Sequence, residues 1–325
     1  MPGTRNNSKR PLRPTINGFV NLYKPVGITS MDALRQVKGI TGQRQKVGHG
    51  GTMDPLARGV LPVCFGQATR LMEYLVNGNK RYMMDIALGV TTSTYDAEGE
   101  VVKTGDGSVV TLQAVESELE AFVGNILQTP PMYSAIKVGG QRLYKLARAG
   151  LEVEREARPV EIHSIRIVEM ASPKLTLDVE CGRGVYMRSL AHDLGEALGC
   201  GAHVSDLVRL RCSGFLAEEG VTLEQLKQDS ESEAGWQQHL MPVDWVLRDL
   251  KSITVGQHAE DFLKHGQSIS LGRPEPNAGY LEQYRAYNSE GHFLALVRYE
   301  RAANTWRPVK VFQFDSPSPL APVAF

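Results

Sequence analysis

The spacing of apolar side chains divides the chain into alternating and helical stretches separated by glycine- and proline-rich breaks. Gly18-Phe19-Val20-Asn21-Leu22-Tyr23 alternates like a strand, and Lys24-Pro25-Val26-Gly27 interrupts it. Thr29 and Asp32 form a capping-box pattern with an acid in the Glu slot. Met31, Leu34 and Val37 follow at helical spacing, which predicts a helix over 30–40. Leu61 to Phe65 reads as a buried strand ended by Gly66, Thr69 to Val76 as a helix, and Lys80 to Gly89 as another strand. Residues 89–99 are polar and turn-rich, and Leu112, Val115, Leu119 and Phe122 place a packing helix over 111–124.

Further on, Gly139-Gly140 suits a hairpin turn, and 142–150 reads as a helix stopped by Gly150. Strands are expected over 160–169 and 174–181, then a helix over 189–198 with Asp193 and Glu196 toward solvent, then strand from Val204. The acidic stretch 228–238 leads toward a domain boundary, placed at 248/249. Beyond it, residues 284–287, 293–297 and 309–312 read as the short strands of a small β-rich module. The fold class expected is α+β.

One stretch fits neither period. Residues 48–62, GHGGTMDPLARGVLP, hold four glycines, two prolines and one carboxylate, Asp54. Glycines allow positive φ and close approach, and proline resists a central strand, so this reads as a shaped loop presenting Asp54 with His49 nearby. Asp-Pro is also a common helix start, with Asp as N-cap and Pro at the first helical position. The residue types alone leave both readings open.

Charge sharpens the picture. Lys plus Arg and Asp plus Glu are 36 each, yet residues 1–82 carry thirteen cations and three acids. That asymmetry suggests a half that faces a polyanion. Residues 1–16 carry four cations, three prolines and no acid, and are expected to be a disordered basic arm. From Lys137 to Arg148 the cations Lys137, Arg142, Lys145 and Arg148 interleave with Tyr144, a pattern suited to RNA. The four cysteines (64, 181, 200, 212) make no C-x-x-C pair, so neither zinc nor disulfides are expected. No secretory h-region or membrane-length apolar run is present, and a cytoplasmic protein is expected.

The loop resembles the catalytic motif of the bacterial tRNA pseudouridine synthase B (TruB) family, G-H-x-G-x-L-D-P-x-A-x-G-x-L-P, with Met53 at the Leu position. Two further segments resemble the same family in the same order. Residues 128–137 match Q-x-P-P-x-Y-S-A-x-K, and residues 181–190 resemble C-S-x-G-x-Y-I-R-x-L with Gly182 in place of Ser and Met187 in place of Ile. The resemblance implies a pseudouridine synthase-type, mixed and largely antiparallel sheet over 17–248. It implies a PUA-like RNA-binding domain over 249–325.

It also implies the chemistry: isomerisation of a uridine to pseudouridine in the T-loop of tRNA, at position 55, with the target base flipped out of its stack. Asp54 is then the carboxylate nucleophile, Arg188 its ion-pair partner, and Tyr82, in a K-x-Y pattern, the aromatic against the base. His49 is expected to fill the space the base vacates, and Tyr186 and Leu207 to pack the pocket walls. Lys24 is expected near Asp54 or a substrate phosphate. Lys137, Arg142 and Arg148 are expected along the RNA. The family's L-R-R reads Leu207-Val208-Arg209 here, and Arg209 or Arg211 is expected to replace the missing cation. The reaction involves no redox change, so no cofactor and no metal are expected. A monomer acting on tRNA without a guide RNA is the reading. The alternatives are a non-catalytic tRNA-binding or tRNA-folding protein and a guide-dependent relative.

Overall fold

The alternation at 18–23 is a strand, Gly18–Lys24, and both its faces are buried. Val20 and Leu22 enter one apolar core, and Phe19 enters a second. A strand that is apolar on both faces needs a covering layer on each side, and the rest of the fold supplies them. The structure is a computed structural model, and it describes residues 16–43, 46–134, 136–151, 153–272, 279 and 282–322. Apart from Ile16, the basic arm of residues 1–16 lies outside the described residues.

Helix Ser30–Thr41 forms where the pattern places it. The Thr29 hydroxyl accepts from Asp32 N–H, the Asp32 carboxylate accepts from Thr29 N–H, and Gly42 closes the helix at φ 68°. It lays Ala33, Leu34 and Val37 on the first core, joined there by Leu190, Ala191 and Leu194 of helix Met187–Ala197 and by Val115 and Leu119 of helix Leu112–Leu119.

These helices cover one face of a 10-stranded sheet. Its main path runs Leu240–Met241, Gly18–Lys24, Arg58–Phe65, Ala202–Cys212, Lys80–Leu88, Lys174–Cys181, Arg158–Ala171, Gly124–Gln128. The sheet is antiparallel except at one seam, where Ala202–Cys212 meets Arg58–Phe65 in parallel through Val208↔Arg58 and Arg209↔Gly59. The far face is polar beyond the seam. Arg81 and Arg166 both donate to Asp178, whose carboxyl they hold down to about 2, and Arg58 pairs with Asp206.

Four local expectations change. The strand expected to start at Leu61 starts at Arg58 and contains Pro62. Pro62 C=O accepts from Gly50 N–H at 2.8 Å, so its backbone faces the loop and the missing N–H breaks no bond to Gly18–Lys24. The helix over 69–76 is a 3-10 segment, Gly66–Leu71, followed by helix Met72–Asn77. The helix over 111–124 ends at Leu119, and Gly124, at φ 93°, opens strand Gly124–Gln128. Asp193 is half-buried rather than solvated, and burial pushes its carboxyl up to about 6.

Residues beyond 250 form a 4-stranded sheet, Ser252–Val255, Gln283–Asn288, Phe293–Glu300, Thr305–Val311, in that order. Tyr287, Phe293, Leu296 and Phe312 from this part of the chain pack on Phe19, Val60, Leu71 and Leu75, forming the second core. Tyr74 Oη donates to Gln283 Oε1 at 2.7 Å, and Asp244, 1% exposed, accepts from Tyr287 Oη at 2.6 Å. Among the described residues no helix is long and apolar enough to cross a membrane.

The parallel seam tolerates no side chain at Gly59. Its φ is +106°, and a Cβ there would stand 2.3 Å from the Arg209 carbonyl oxygen. Gly59→Ala is expected to lower stability by about 3 kcal/mol or more. A urea denaturation midpoint shifted down at unchanged slope is the readout.

Candidate active site

The shaped loop enters from strand Val47–His49 and leaves into Arg58–Phe65, with no helix after Asp54-Pro55. Its backbone is held by donors from outside it. Ser30 Oγ accepts from Met53 N–H at 2.7 Å and donates to Met53 C=O at 3.1 Å. Gly27 N–H donates to Pro55 C=O at 2.9 Å, and Lys24 Nζ reaches the same oxygen at 3.4 Å. Asp54 is therefore bracketed on both sides. Farther along, Arg209 Nε donates to Val60 C=O at 2.6 Å and its Nη2 to Gly51 C=O at 3.3 Å. A loop without its own ladder leaves carbonyls unpaired, and these buried cations satisfy them.

Asp54 meets Arg188 in a two-pronged contact. Arg188 Nε donates to Oδ2 at 2.9 Å and Nη2 to Oδ1 at 2.7 Å. The guanidinium is 4% exposed, while the Asp54 side chain keeps 33%. Arg188 also donates to Thr94 C=O at 3.2 Å and Tyr133 C=O at 2.8 Å, and stands 3.5 Å from the buried Asp96 carboxylate. Burial pushes the Asp54 carboxyl above its ordinary value, and Arg188 opposes that push. The open edge of Asp54 makes it the group a substrate can reach.

Tyr82 lies opposite Arg209 across strands Lys80–Leu88 and Ala202–Cys212. Its ring packs against the first core, and burial pushes its hydroxyl up to about 12, so it stays protonated. His49 is held below the ordinary histidine value by burial and by Arg209, so its ring is uncharged at neutral pH. Tyr186 is the N-cap of the helix that carries Arg188, and burial raises its hydroxyl too. Leu207 is 4% exposed and belongs to the first core against which Tyr82 packs.

One expectation is narrowed and one is corrected. Lys24 is 0% exposed and donates to Pro25 C=O at 2.8 Å and Ile28 C=O at 2.7 Å. Of the two places expected for it, it takes the one near Asp54, whose charge acts on its ammonium, and it anchors the loop there. Arg209 is 1% exposed with its donors on Val60 and Gly51, so it does not replace the cation absent at Val208. Arg211 pairs with Glu180. The backbone hairpin Lys137–Val138 with Gln141–Arg142 and helix Leu143–Arg148 form as expected, but the side chains of Lys137, Arg142 and Arg148 lie outside the described residues.

Sequence reasoning missed Ser30 and Asp96, and it missed the partner of Gln128. Asp96 stood in plain view as a carboxylate in a turn-rich run, but nothing in such a run marks burial. The four cysteines are buried free thiols. Among the described residues no group of three or more His, Cys, Asp or Glu side chains is placed to hold a metal ion.

Residues 38–187 match the family model described as TruB family pseudouridylate synthase (N terminal domain), and 188–248 match tRNA pseudouridylate synthase B C-terminal domain. The protein is thus an isomerase of the pseudouridine synthase class. The chain is 41% identical over 281 residues to tRNA pseudouridine synthase B of Clostridium novyi (strain NT), covering 86% of this chain and 95% of that one. It is 42% identical over 293 residues to the protein of that name from Thiobacillus denitrificans (strain ATCC 25259 / T1), covering 90% and 95%. A chain of the crystal structure of a Cbf5-Nop10-Gar1 complex superposes with TM-score 0.68 at 25% identity, covering 92% of this chain and 85% of that one. The chain belongs to the TruB family. The seam between the two family models falls between Met187 and Arg188, inside one helix, so the site is built from both.

Burial brings the Lys24 ammonium down to about 8 from an ordinary 10.5. A lysine with a lowered folded value loses its proton on folding between pH 8 and 10.5, so stability rises with pH across that window. Relative to Lys24→Met, the wild type is expected to gain up to about 1.4 kcal/mol per pH unit there. Paired denaturation curves at pH 7.5, 9 and 10 provide the measurement, at about those values.

Proposed function

We propose that the protein converts a uridine of tRNA to pseudouridine, in the T-loop at position 55. The observation that carries this is the two-pronged Arg188–Asp54 contact, in which a buried guanidinium orients a carboxylate whose side chain stays 33% exposed. Relatives named tRNA pseudouridine synthase B, 41–42% identical over most of the chain, support the tRNA substrate.

The isomerisation breaks the C1′–N1 glycosidic bond, turns the uracil, and joins C1′ to C5, while a proton leaves C5 and one is gained at N1. Atoms and electrons balance without a redox partner. A carboxylate serves each available route: addition to C6, attack at C1′, or removal of the 2′ proton. Arg188 orients it and favours its charged form. Tyr82 offers a stacking face and a protonated hydroxyl to the flipped uracil, with Tyr186 and Leu207 beside it. His49, uncharged and therefore free to stack among bases, takes the vacated place. In this reading residues 17–248 are the catalytic domain and 249–325 a PUA-like RNA-binding domain. The protein acts as a monomer in the cytoplasm on tRNA alone, with Lys137, Arg142 and Arg148 along the T-stem.

The test is an unmodified tRNA transcript incubated with wild type or Asp54→Asn, with no other RNA or protein, and mapped by carbodiimide primer extension. A T-loop stop with wild type and none with Asp54→Asn is expected. Tight binding with no stop from either would leave only an RNA-binding protein. Because burial raises the Asp54 carboxyl, the single-turnover rate is also expected to fall on the acid side with an apparent pKa above 3.8. An acid limb at or below the ordinary carboxylate value would remove Asp54 from the rate-limiting ionisation.

A further inference from the structure

Helix Met187–Ala197 carries Arg188 in its first turn, yet its N-cap is Tyr186, whose side chain makes no cap bond. Helix starts leave N–H groups that need acceptors, and Ser, Thr, Asp or Asn usually supply one. Here the partner comes from another strand. Gln128 ends strand Gly124–Gln128, is 2% exposed, and turns its amide onto the Tyr186 backbone. Its Oε1 accepts from Tyr186 N–H at 2.7 Å, and its Nε2 donates to Tyr186 C=O at 3.0 Å. Both polar ends are used, so the amide acts like one rung of a β-ladder built from a side chain.

The same segment reaches the helix twice more. Thr129 C=O accepts from Ser189 Oγ at 2.7 Å, and Tyr133 C=O accepts from Arg188 Nη2 at 2.8 Å. Residues 128–133 thus hold the start of the helix at Tyr186, Arg188 and Ser189, with the Gln128 amide as the side chain that grips its backbone.

We infer that Gln128 is a positioning residue for the reaction: by fixing both backbone groups of Tyr186 it sets the direction in which Arg188 leaves the helix, so that the guanidinium meets Asp54 with two bonds. This deepens the reading of Asp54 as the reacting carboxylate and rests on it. A two-pronged contact requires the guanidinium and carboxylate to be nearly coplanar, a demand a single hydrogen bond does not make. A small rotation at Tyr186 is carried to the end of a long side chain. Misplacement of a catalytic group by 1 Å is enough for about a 10²-fold loss of rate. Tyr186 moves with the same rotation, so the pocket wall and the ion pair are set together.

The chemistry of the pair calls for an amide. A carboxylate at 128 could accept from Tyr186 N–H but could not donate to Tyr186 C=O, and a thioether could accept only weakly and donate nothing.

The test uses the full chain with Gln128→Met and Gln128→Glu. Gln128→Met is expected to lower the single-turnover rate on the T-loop transcript about 10²-fold with KM held within about twofold. Gln128→Glu, which keeps the acceptor, is expected to fall between Gln128→Met and wild type, and it carries the test if Gln128→Met does not fold. In an Arg188→Lys background Gln128→Met is expected to have no further effect, because the contact it serves is already lost. Equal losses in both backgrounds, or a raised KM at unchanged rate, would overturn the inference.

A second readout does not depend on turnover. In arginine-labelled protein the Arg188 Nε–H, held by Asp54, is expected to exchange slowly in wild type and rapidly in the Gln128 variants while backbone amides keep their native dispersion. Unchanged protection in the variants would sink the role of Gln128 even if the wild type proved inactive on tRNA. A wild type with no activity but normal loss of protection would instead reject the substrate and keep Gln128.

Discussion

The Arg188–Asp54 contact is the constraint to which the rest of the catalytic unit answers. Removing a carboxylate and a guanidinium from water is unfavourable unless their hydrogen bonds are made elsewhere. The structure meets that condition from four segments at once. The loop supplies Asp54, the 91–96 turn supplies Thr94 C=O and Asp96, the 128–134 segment supplies Tyr133 C=O, and the helix supplies Arg188 itself. An ion pair of this kind adds little net stability, because desolvation offsets most of its attraction. What it contributes is direction: with Arg188 fully engaged, Asp54 has one conformation and one open edge.

The loop that presents Asp54 is costly in another way. Its glycines and prolines give it shape but take away a regular ladder, so its carbonyls need donors. Lys24, Gly27, Ser30 and Arg209 supply them, and two of these are buried cations. The positive charge of the first quarter of the chain is therefore divided between two purposes. Part of it faces outward, as the exposed Arg35 does, and part of it holds backbone. The parallel seam at Gly59 is where these demands meet, since Arg209 can grip the loop only if its own strand lies against a residue with no side chain.

How much was legible depended on whether a residue's role is local. The capping box at Thr29 and Asp32, the hairpin at Gly139-Gly140 and the alternation of 18–23 and 174–181 concern neighbours in sequence, and each forms where the pattern places it. Asp54 and Arg188 were legible as a resemblance, from motifs 134 residues apart, and their pairing is borne out by the geometry. Arg209 was misjudged because an arginine beside a shaped loop looks the same on paper whether it faces solvent or carbonyls. Asp96 escaped for the same reason, as a polar residue in a polar run, and Gln128 was legible as a motif residue but not its partner, because Tyr186 lies 58 residues away.

By itself the sequence determined the periods, caps and turns, and so the strands, the main helices and the shaped loop at 48–62. Those features depend on side chains within a few residues of one another, and the chain carries that information directly. Tertiary structure alone decided which polar groups lost their water. The 0% exposure of Lys24, the amide of Gln128 on Tyr186 and the closing of Arg188 around Asp54 all depend on which strands become neighbours. Such neighbours are far apart in sequence: Gln128 pairs across strands with Arg158, and the seam between Arg58–Phe65 and Ala202–Cys212 joins residues 150 positions apart at Val208↔Arg58 and Arg209↔Gly59. Desolvation belongs to a place in the fold, and a place with partners that distant exists only once the sheet has closed.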